Sequence, residues 1–240
     1  MQAWHSDLEI ELLDFLVVAV VAVKMTQSKR ARILLADDHS LVAAGLSKLL
    51  EEEFELVGAV GDGRALVAVA KRENPDVILL DISMPLLNGI EAARQLQIAV
   101  PASKLIFVTV HSDSPYVVEA FRAGASGYVL KRSAASELVA AIHEVLNGNL
   151  YVTPLIAKSA MEGILKVAEK RGPLLSTRQR EVLQLVAEGH SAKEIADILR
   201  ISPKTVEFHK GWIMKKLDLH STAELTRYAL EHRIANNLSG

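Results

Sequence analysis

The sequence has 240 residues, half of them hydrophobic, which is enough for one or two domains with buried cores. It contains no cysteine, which excludes disulfides and thiolate metal sites and fits a reducing cytoplasm. The net charge of −2 is unevenly spread: residues 31–148 hold 10 Lys+Arg and 15 Asp+Glu, whereas residues 149–240 hold 14 and 10. An acidic first part and a mildly basic second part predict two domains with different partners.

Residues 1–30 do not fit the pattern of the rest of the chain. The stretch Leu12–Val23 is apolar apart from Asp14, but it is shorter than the roughly 20 residues that span a bilayer. Acidic residues precede it, where a signal peptide would carry positive charge. Three interpretations stay open: a helix that packs on the body or on a partner, a start-site artefact with Met25 opening the natural chain, and a membrane anchor. We expect a cytoplasmic protein with no stable membrane association.

Five short apolar runs alternate with five helical patterns between residues 31 and 148. This alternation predicts a flavodoxin-like α/β domain, in which a five-stranded parallel sheet of order 2-1-3-4-5 carries helices on both faces. The predicted strands are residues 33–36, 56–60, 77–80, 105–108 and 128–130. The predicted helices are residues 39–52, 63–73, 88–98, 114–123 and 134–147.

Polar residues follow these strands where each one leaves the sheet. They are Asp37 and Asp38, then Asp81, Thr109 and Lys131. Because the carboxyl ends of parallel strands share one edge, we expect three carboxylates to converge there, and such a cluster suits Mg²⁺. Asp81 would then attack a phosphoryl group, whose oxygens Lys131 and Thr109 would hold. Asp81 by itself could equally cap a helix or brace a loop, and it is the cluster that favours phosphoryl chemistry.

Residues 149–173 are predicted to form a linker that is helical over Leu155–Lys170. Residues 174–240 then show four helix starts, and the predicted helices end near residues 188, 199, 217 and 234. The start signals are capping boxes at Ser176/Gln179, Ser191/Glu194 and Ser221/Glu224, and the cap Ser202 with Pro203 at the first helical position. Two helices joined by a tight turn predict a helix-turn-helix whose second helix enters the DNA major groove, although helical hairpins also occur in domains that bind no DNA.

The helix that follows Pro203 has one apolar stripe and one polar face. The residues expected at DNA are Ser202, Lys204, Thr205, Glu207, Phe208, His209, Gly211, Lys215 and Lys216. Glu207 would accept a hydrogen bond from a cytosine amino group, or would instead pair with Lys204 or Lys210 on its own helix. Gly211 costs the helix about 1 kcal/mol relative to alanine, which indicates a close backbone approach to a partner.

Residues 31–148 resemble the receiver domain of two-component response regulators. The matching segments are residues 36–39, 81–85 with Gly89, 108–109 and 127–131. The resemblance implies that a sensor histidine kinase phosphorylates Asp81, and that Asp38, Asp81 and the Ser83 main-chain carbonyl bind Mg²⁺, with Asp37 acting largely through water. It further implies that Thr109 moves toward the phosphoryl group and that Tyr128 rotates inward. Ser83 and His111 would influence dephosphorylation, unless His111 is only a solvated loop residue.

Residues 174–235 resemble the LuxR-type DNA-binding domain. The matching segments are residues 175–183, 193–196, 201–206, 209 and 215–217. Glu207 and Gly211 depart from the family pattern, which often has a basic residue and a larger polar residue there.

Both resemblances together imply a NarL/FixJ-type response regulator that uses Mg²⁺ and a histidine kinase, and that turns over no external substrate. Phosphorylation would reshape the face formed by helix four, strand five and helix five. The phosphorylated homodimer would bind a two-part operator in double-stranded DNA.

Two alternatives belong to other functional classes. A phosphohydrolase with an aspartyl nucleophile would need a second acid two residues after Asp81, where the chain has Ser83. A ligand-gated or constitutive LuxR-type regulator would leave the acidic cluster without a role.

Overall fold

The computed structural model of the chain describes residues 30–158, 161, 175–232 and 234–235. Parallel strands form a sheet in the order β2-β1-β3-β4-β5-β6, which confirms the predicted strand order and adds one strand. The added strand is only two residues long and pairs Tyr151 with Gly127, so it carries no periodic signal. The strands are β1 (Arg32–Ala36), β2 (Glu55–Val60), β3 (Val77–Leu80), β4 (Lys104–Thr109), β5 (Gly127–Leu130) and β6 (Tyr151–Val152).

Helices alternate with the strands as predicted and cover the sheet. They are α1 (Ser40–Leu50), α2 (Gly63–Glu73), α3 (Gly89–Ala99), α4 (Ser114–Arg122) and α5 (Ala134–Leu146). Helix α1 contacts α5, while α2, α3 and α4 contact one another in succession, as in a doubly wound fold. All four residues of β3 are buried, because helices cover both faces, and this is why an unbroken apolar run encodes the strand.

The loop between β3 and α3 is held against the edge of the sheet. The Asp81 N–H donates to the Ala36 carbonyl at 2.9 Å, and the Gly89 N–H donates to the Ile82 carbonyl at 2.9 Å. A Cβ on Gly89 would collide with the Asp81 carbonyl oxygen, so only glycine permits this approach. Leu86 has φ +64°, in the left-handed region that a leucine rarely adopts. These backbone contacts therefore hold Asp81 at the edge of the sheet. The same loop contains one residue, Leu86, with a strained backbone conformation.

Four helices follow the linker: α6 (Thr177–Ala187), α7 (Ala192–Leu199), α8 (Pro203–Leu217) and α9 (Thr222–Glu231). Their apolar faces share a core that includes Val182, Ile195, Val206 and Leu225. The capping boxes at the starts of α6 and α7 are complete, and Ser202 accepts a hydrogen bond from the Thr205 N–H at the start of α8. The all-α, four-helix prediction for this part of the chain is therefore confirmed.

Two details of the last helix differ from expectation. The Ser221 hydroxyl accepts from the Glu224 N–H, but the Glu224 carboxylate accepts from the His220 N–H at 2.7 Å and not from Ser221. The third capping box is therefore only half formed. Helix α9 ends at Glu231 and not near Ile234, whose N–H instead closes a turn onto the Ala229 carbonyl.

The structure describes only part of the predicted linker helix. Residues 154–158 and 161 are helical, and the rest of the predicted helix lies outside the described residues. The three interpretations of residues 1–30 also fall outside them, except for Arg30 itself. None of the helices in the described ranges has the length and apolar character that crossing a membrane requires.

Candidate phosphoacceptor site and nucleic-acid interface

The structure brings three carboxylates together where β1 and β3 leave the sheet. Ligand atoms of Asp37, Asp38, His39 and Asp81 all lie within 4.8 Å of one another. The side chains of Asp37 and Asp81 are each 1% exposed, whereas that of Asp38 is 34% exposed. Buried carboxylates repel one another unless a cation lies between them, so this cluster has the donor set that a divalent ion bound by oxygen ligands requires.

The Lys131 ammonium lies between the two most buried carboxylates. Its Nζ is 2.6 Å from Asp37 Oδ2 and 2.7 Å from Asp81 Oδ2. Burial by itself would lower the pKa of Lys131, but the neighbouring Asp81 and Asp37 outweigh burial and raise that pKa above its ordinary value. Lys131 therefore stays charged and balances part of the negative charge of the cluster.

The second oxygen of each buried carboxylate is held by the main chain. Asp81 Oδ1 accepts from the Ile82 N–H at 2.6 Å, and Asp37 Oδ1 accepts from the His39 N–H at 2.9 Å. Each carboxylate thus has one oxygen on a backbone amide and the other on Lys131. This arrangement fixes the orientation of Asp81, the predicted nucleophile, within the protein itself.

Thr109 and Tyr128 lie behind the cluster, at the ends of β4 and β5. Both are fully buried. The Tyr128 hydroxyl donates to the His111 carbonyl at 2.9 Å, and the His111 N–H lies 3.4 Å from Thr109 Oγ1. Tyr128 is therefore already turned inward in this structure, and His111 connects the two residues expected to respond to phosphorylation.

The His111 side chain lies against the loop that follows Asp81. Its Nε2 is 2.7 Å from the Ser83 hydroxyl, and its ring stacks on Tyr116 with centroids 4.0 Å apart. His111 is half-buried and contacts Ser83, so it is not simply a solvated loop residue, and an influence of the two residues on dephosphorylation stays a prediction. Sequence spacing alone could not place them together, since 28 residues separate them.

Helix α8 presents the predicted DNA-contacting residues on its outward face. Seven of the nine are exposed, and Thr205 and His209 are half-buried. Phe208 is 68% exposed, which is unusual for a large aromatic side chain without a partner to cover it. The predicted apolar stripe consists of Val206, the stem of Lys210, Ile213 and Leu217. Val206 and Ile213 are buried on the opposite face, and Lys210 and Leu217 are half-buried.

Two of these residues, Ser202 and Thr205, also contact each other at the start of the helix, and a third, His209, is partly enclosed. Ser202 caps α8, and its hydroxyl lies 2.8 Å from the Thr205 hydroxyl. His209 Nδ1 is buried and has no hydrogen-bond partner among the described residues. Their contacts with phosphate stay a prediction.

The structure shows the surroundings of Glu207 and Gly211, the two residues that depart from the family pattern. Within the described ranges, Glu207 forms no ion pair with Lys204 or Lys210, so the alternative of pairing along its own helix is not realised. A Cβ on Gly211 would meet nothing within 4 Å, so packing inside the protein does not require glycine there. The open space around Gly211 faces outward, where a partner would approach.

Sequence reasoning missed Trp212 as part of this surface. Trp212 is 39% exposed, and the Lys216 ammonium lies 4.4 Å from its ring centroid. A cation over an aromatic ring is held in place by the ring's electron density, which orients Lys216 along the outward face. The spacing in the sequence could have indicated this position, since Trp212 follows Phe208 by one helical turn and therefore lies on the same face of α8.

Comparison with protein families gives two matches along the chain. Residues 33–143 match the response regulator receiver domain, and residues 173–229 match the bacterial regulatory proteins of the luxR family. The first match contains the acidic cluster, and the second contains α8.

Individual relatives match over nearly their whole length. The response regulator UvrY of Escherichia coli strain K12 is 34% identical over 208 residues, which cover 85% of this chain and 95% of UvrY. The oxygen regulatory protein NreC of Staphylococcus carnosus is 34% identical over 213 residues, which cover 85% of this chain and 98% of NreC. A solved complex of the two-component response regulator RcsB with DNA is 29% identical, with a TM-score of 0.52 over 83% of this chain and 97% of that one.

Proposed function

Because this chain belongs to the NarL/FixJ family of two-component response regulators, which join a receiver domain to a LuxR-type DNA-binding domain and regulate transcription, we propose that a phosphoryl group on Asp81 controls its binding to DNA. One observation carries the proposal: Asp81 lies buried among two further carboxylates and the Lys131 ammonium, at 2.7 Å from its Nζ. A residue that only braced a loop would not need this surrounding charge.

The proposed domain organisation follows the two matches to protein families. Residues 31–148 form the receiver domain, residues 149–173 the partly helical linker, and residues 174–240 the DNA-binding domain. The extension of residues 1–30 has no assigned role. The protein acts in the cytoplasm, where both a sensor histidine kinase and DNA are accessible to it.

The reaction is a phosphoryl transfer to the protein itself. A carboxylate oxygen of Asp81 attacks the phosphorus of a kinase phosphohistidine, the P–N bond breaks, and the imidazole leaves. The aspartyl phosphate that forms carries more negative charge than the carboxylate it replaces. Lys131 and Thr109 bind its oxygens, and the protein turns over no external substrate.

The acidic cluster fits Mg²⁺. The ion would be held by Asp38, Asp81 and the Ser83 main-chain carbonyl, with Asp37 acting largely through water. It would supply positive charge against the phosphoryl oxygens, which otherwise repel three carboxylates. Lys131 alone cannot do this, because its ammonium already balances Asp37 and Asp81.

The DNA-binding domain is proposed to read a two-part operator as a homodimer. Helix α8 would enter the major groove, with base contacts from its exposed face and phosphate contacts from Lys204, Lys215 and Lys216. The outward position of Phe208 supports this arrangement, since it is 68% exposed in the chain alone. Thymine methyl groups are the apolar feature of the major groove that Phe208 would contact.

Mass spectrometry of the intact protein tests the acceptor directly. The protein is incubated with Mg²⁺ and acetyl phosphate, and we expect a mass increase of one phosphoryl group that Asp81→Asn abolishes. Asp76→Asn is the matched control, because Asp76 is exposed at the opposite end of β3. Equal labelling of the wild type and Asp81→Asn would place the acceptor elsewhere.

A further inference from the structure

One side chain of the DNA-binding domain makes several hydrogen bonds to the loop that follows the phosphoacceptor. Gln184 of α6 is 2% exposed. Its Oε1 accepts from the Asn88 N–H at 2.9 Å and from Asn88 Nδ2 at 3.1 Å. Its Nε2 lies 3.3 Å from the Met84 carbonyl oxygen, to which it donates. Gln184 thus contacts Met84 and Asn88 in the β3–α3 loop, which is formed by residues 81–88.

The middle of the same loop also contacts the DNA-binding domain. The Leu86 side chain packs against the apolar core shared by α6–α9. Leu86 has φ +64°, so the loop holds a strained backbone conformation at the point of contact. The Asn88 side chain adds a hydrogen bond of 2.9 Å to the Ile234 carbonyl. The loop's shape and its contacts with the core of the DNA-binding domain and with the turn after α9 therefore depend on each other.

The surrounding contacts are polar and incompletely satisfied. Glu91 Oε2 lies 2.7 Å from Arg180 Nε, and Gln95 Nε2 donates to Glu181 Oε1 at 2.7 Å. Among the described residues, Glu91 Oε1 and Arg64 Nε are buried without a hydrogen-bond partner. Buried polar groups without partners oppose association, so this interface is suited to opening and closing.

The β3–α3 loop begins at Asp81, the proposed phosphoacceptor. Met84, whose carbonyl accepts from Gln184, directly follows Ser83, the proposed main-chain ligand of Mg²⁺. Gly89 closes the loop by donating to Ile82, the residue after Asp81. A change in charge or metal occupancy at Asp81 that moves this short loop would therefore displace the groups that Gln184 contacts.

We infer that Gln184 is a positioning residue that couples the state of Asp81 to the placement of the DNA-binding domain through the β3–α3 loop. The inference rests on the proposed function of Asp81 and gives it a route that does not pass along the linker. The contact leaves the outward face of α8 exposed, including Phe208. Gln184 would therefore act by placing the domain, and not by covering the residues that read bases.

The coupling is measured as a ratio of DNA affinities. A two-part duplex obtained by binding-site selection is titrated with the full-length protein in Mg²⁺, with and without beryllofluoride, which mimics a phosphoryl group. For the wild type we expect an affinity ratio within the range of about 5- to 150-fold that allosteric couplings span, and for Gln184→Ala a ratio below about 2-fold. Beryllofluoride binding itself, followed in a separate titration without DNA, should persist in Gln184→Ala.

Two further variants make the result decisive. Leu86→Gly removes the apolar contact while permitting the left-handed backbone, and it should also lower the ratio; it decides the question should Gln184→Ala fail to bind DNA. Gln97→Ala, on the exposed face of α3, should keep the wild-type ratio. A wild-type ratio in both Gln184→Ala and Leu86→Gly overturns the inference and leaves the proposed function standing. A wild-type protein that does not respond overturns both.

Discussion

In the acidic cluster Asp37, Asp81 and Lys131 are largely buried and already contact one another, whereas on the outward face of α8 most of the charged and aromatic side chains are exposed to solvent. Lys131 lies within 2.7 Å of two carboxylates, while Phe208 is 68% exposed and Glu207 forms no ion pair within the described part of the chain. A buried pair contributes to folding as well as to chemistry, because removing one partner leaves the other uncompensated. An exposed side chain that contacts DNA bases contributes mainly to binding, because its contacts form only when DNA is present.

The largest expected effect comes from removing the cluster's own cation. Lys131→Ala leaves Asp37 and Asp81 buried without their ammonium, and we expect the free energy of unfolding to fall by about 3 kcal/mol in the absence of Mg²⁺. Millimolar Mg²⁺ should restore much of the loss, since a divalent ion also neutralises the carboxylates. Urea denaturation with and without Mg²⁺ measures both values.

Lys104→Ala is the matched control for that prediction, because Lys104 lies at the opposite end of β4. It should change stability by less than about 0.5 kcal/mol, with no dependence on Mg²⁺. If Lys131→Ala were as stable as this control without Mg²⁺, the Lys131 ammonium would not stabilise the buried carboxylates of Asp37 and Asp81.

A smaller effect is expected at Glu207, where only recognition should change. Glu207→Ala should relax base preference at one position per half-site, a discrimination worth about 1–3 kcal/mol, because the hydrogen bond to a cytosine amino group is lost. Its stability should stay within about 0.5 kcal/mol of the wild type. Binding-site selection followed by sequencing gives the preference, with Glu231→Ala on α9 as the control. An unchanged preference would remove Glu207 from the base-reading set.

The smallest change, at Gly211, should separate stability from binding most clearly. Gly211→Ala should stabilise the protein by about 1 kcal/mol, because alanine favours a helix and its Cβ meets no atom within 4 Å. The same Cβ should weaken DNA binding if DNA approaches the helix at this point. Thermal unfolding and DNA titration are compared on the same samples. A gain in stability without loss of DNA affinity would mean that nothing approaches Gly211 closely.

The sequence predicted most of the fold because its signals are local. Strand β3 is an apolar run of four buried residues, and all four helices after the linker begin at a serine that the structure shows as a cap. The acidic cluster followed from one general property, the shared edge of parallel strands. Strand β6 was missed because two residues carry no periodicity.

The contact between the domains could not be predicted in the same way. Gln184, Asn88 and Glu91 are polar and look like surface residues, yet each is buried where the DNA-binding domain meets the β3–α3 loop. The left-handed Leu86 gives no sequence signal either, since leucine rarely adopts that conformation. The sequence predicts only that phosphorylation reshapes the face formed by helix four, strand five and helix five. The contacts at Gln184 offer a route from Asp81 to the DNA-binding domain.

We propose above all that phosphorylation of Asp81 changes DNA binding. The most direct measurement is the affinity of the full-length protein for a selected two-part duplex in Mg²⁺, with and without beryllofluoride, in the wild type and in Asp81→Asn. We expect an affinity change of about 5-fold or more in the wild type and none in Asp81→Asn. Equal affinities in the wild type under both conditions, or an equal response in both proteins, would contradict this proposal.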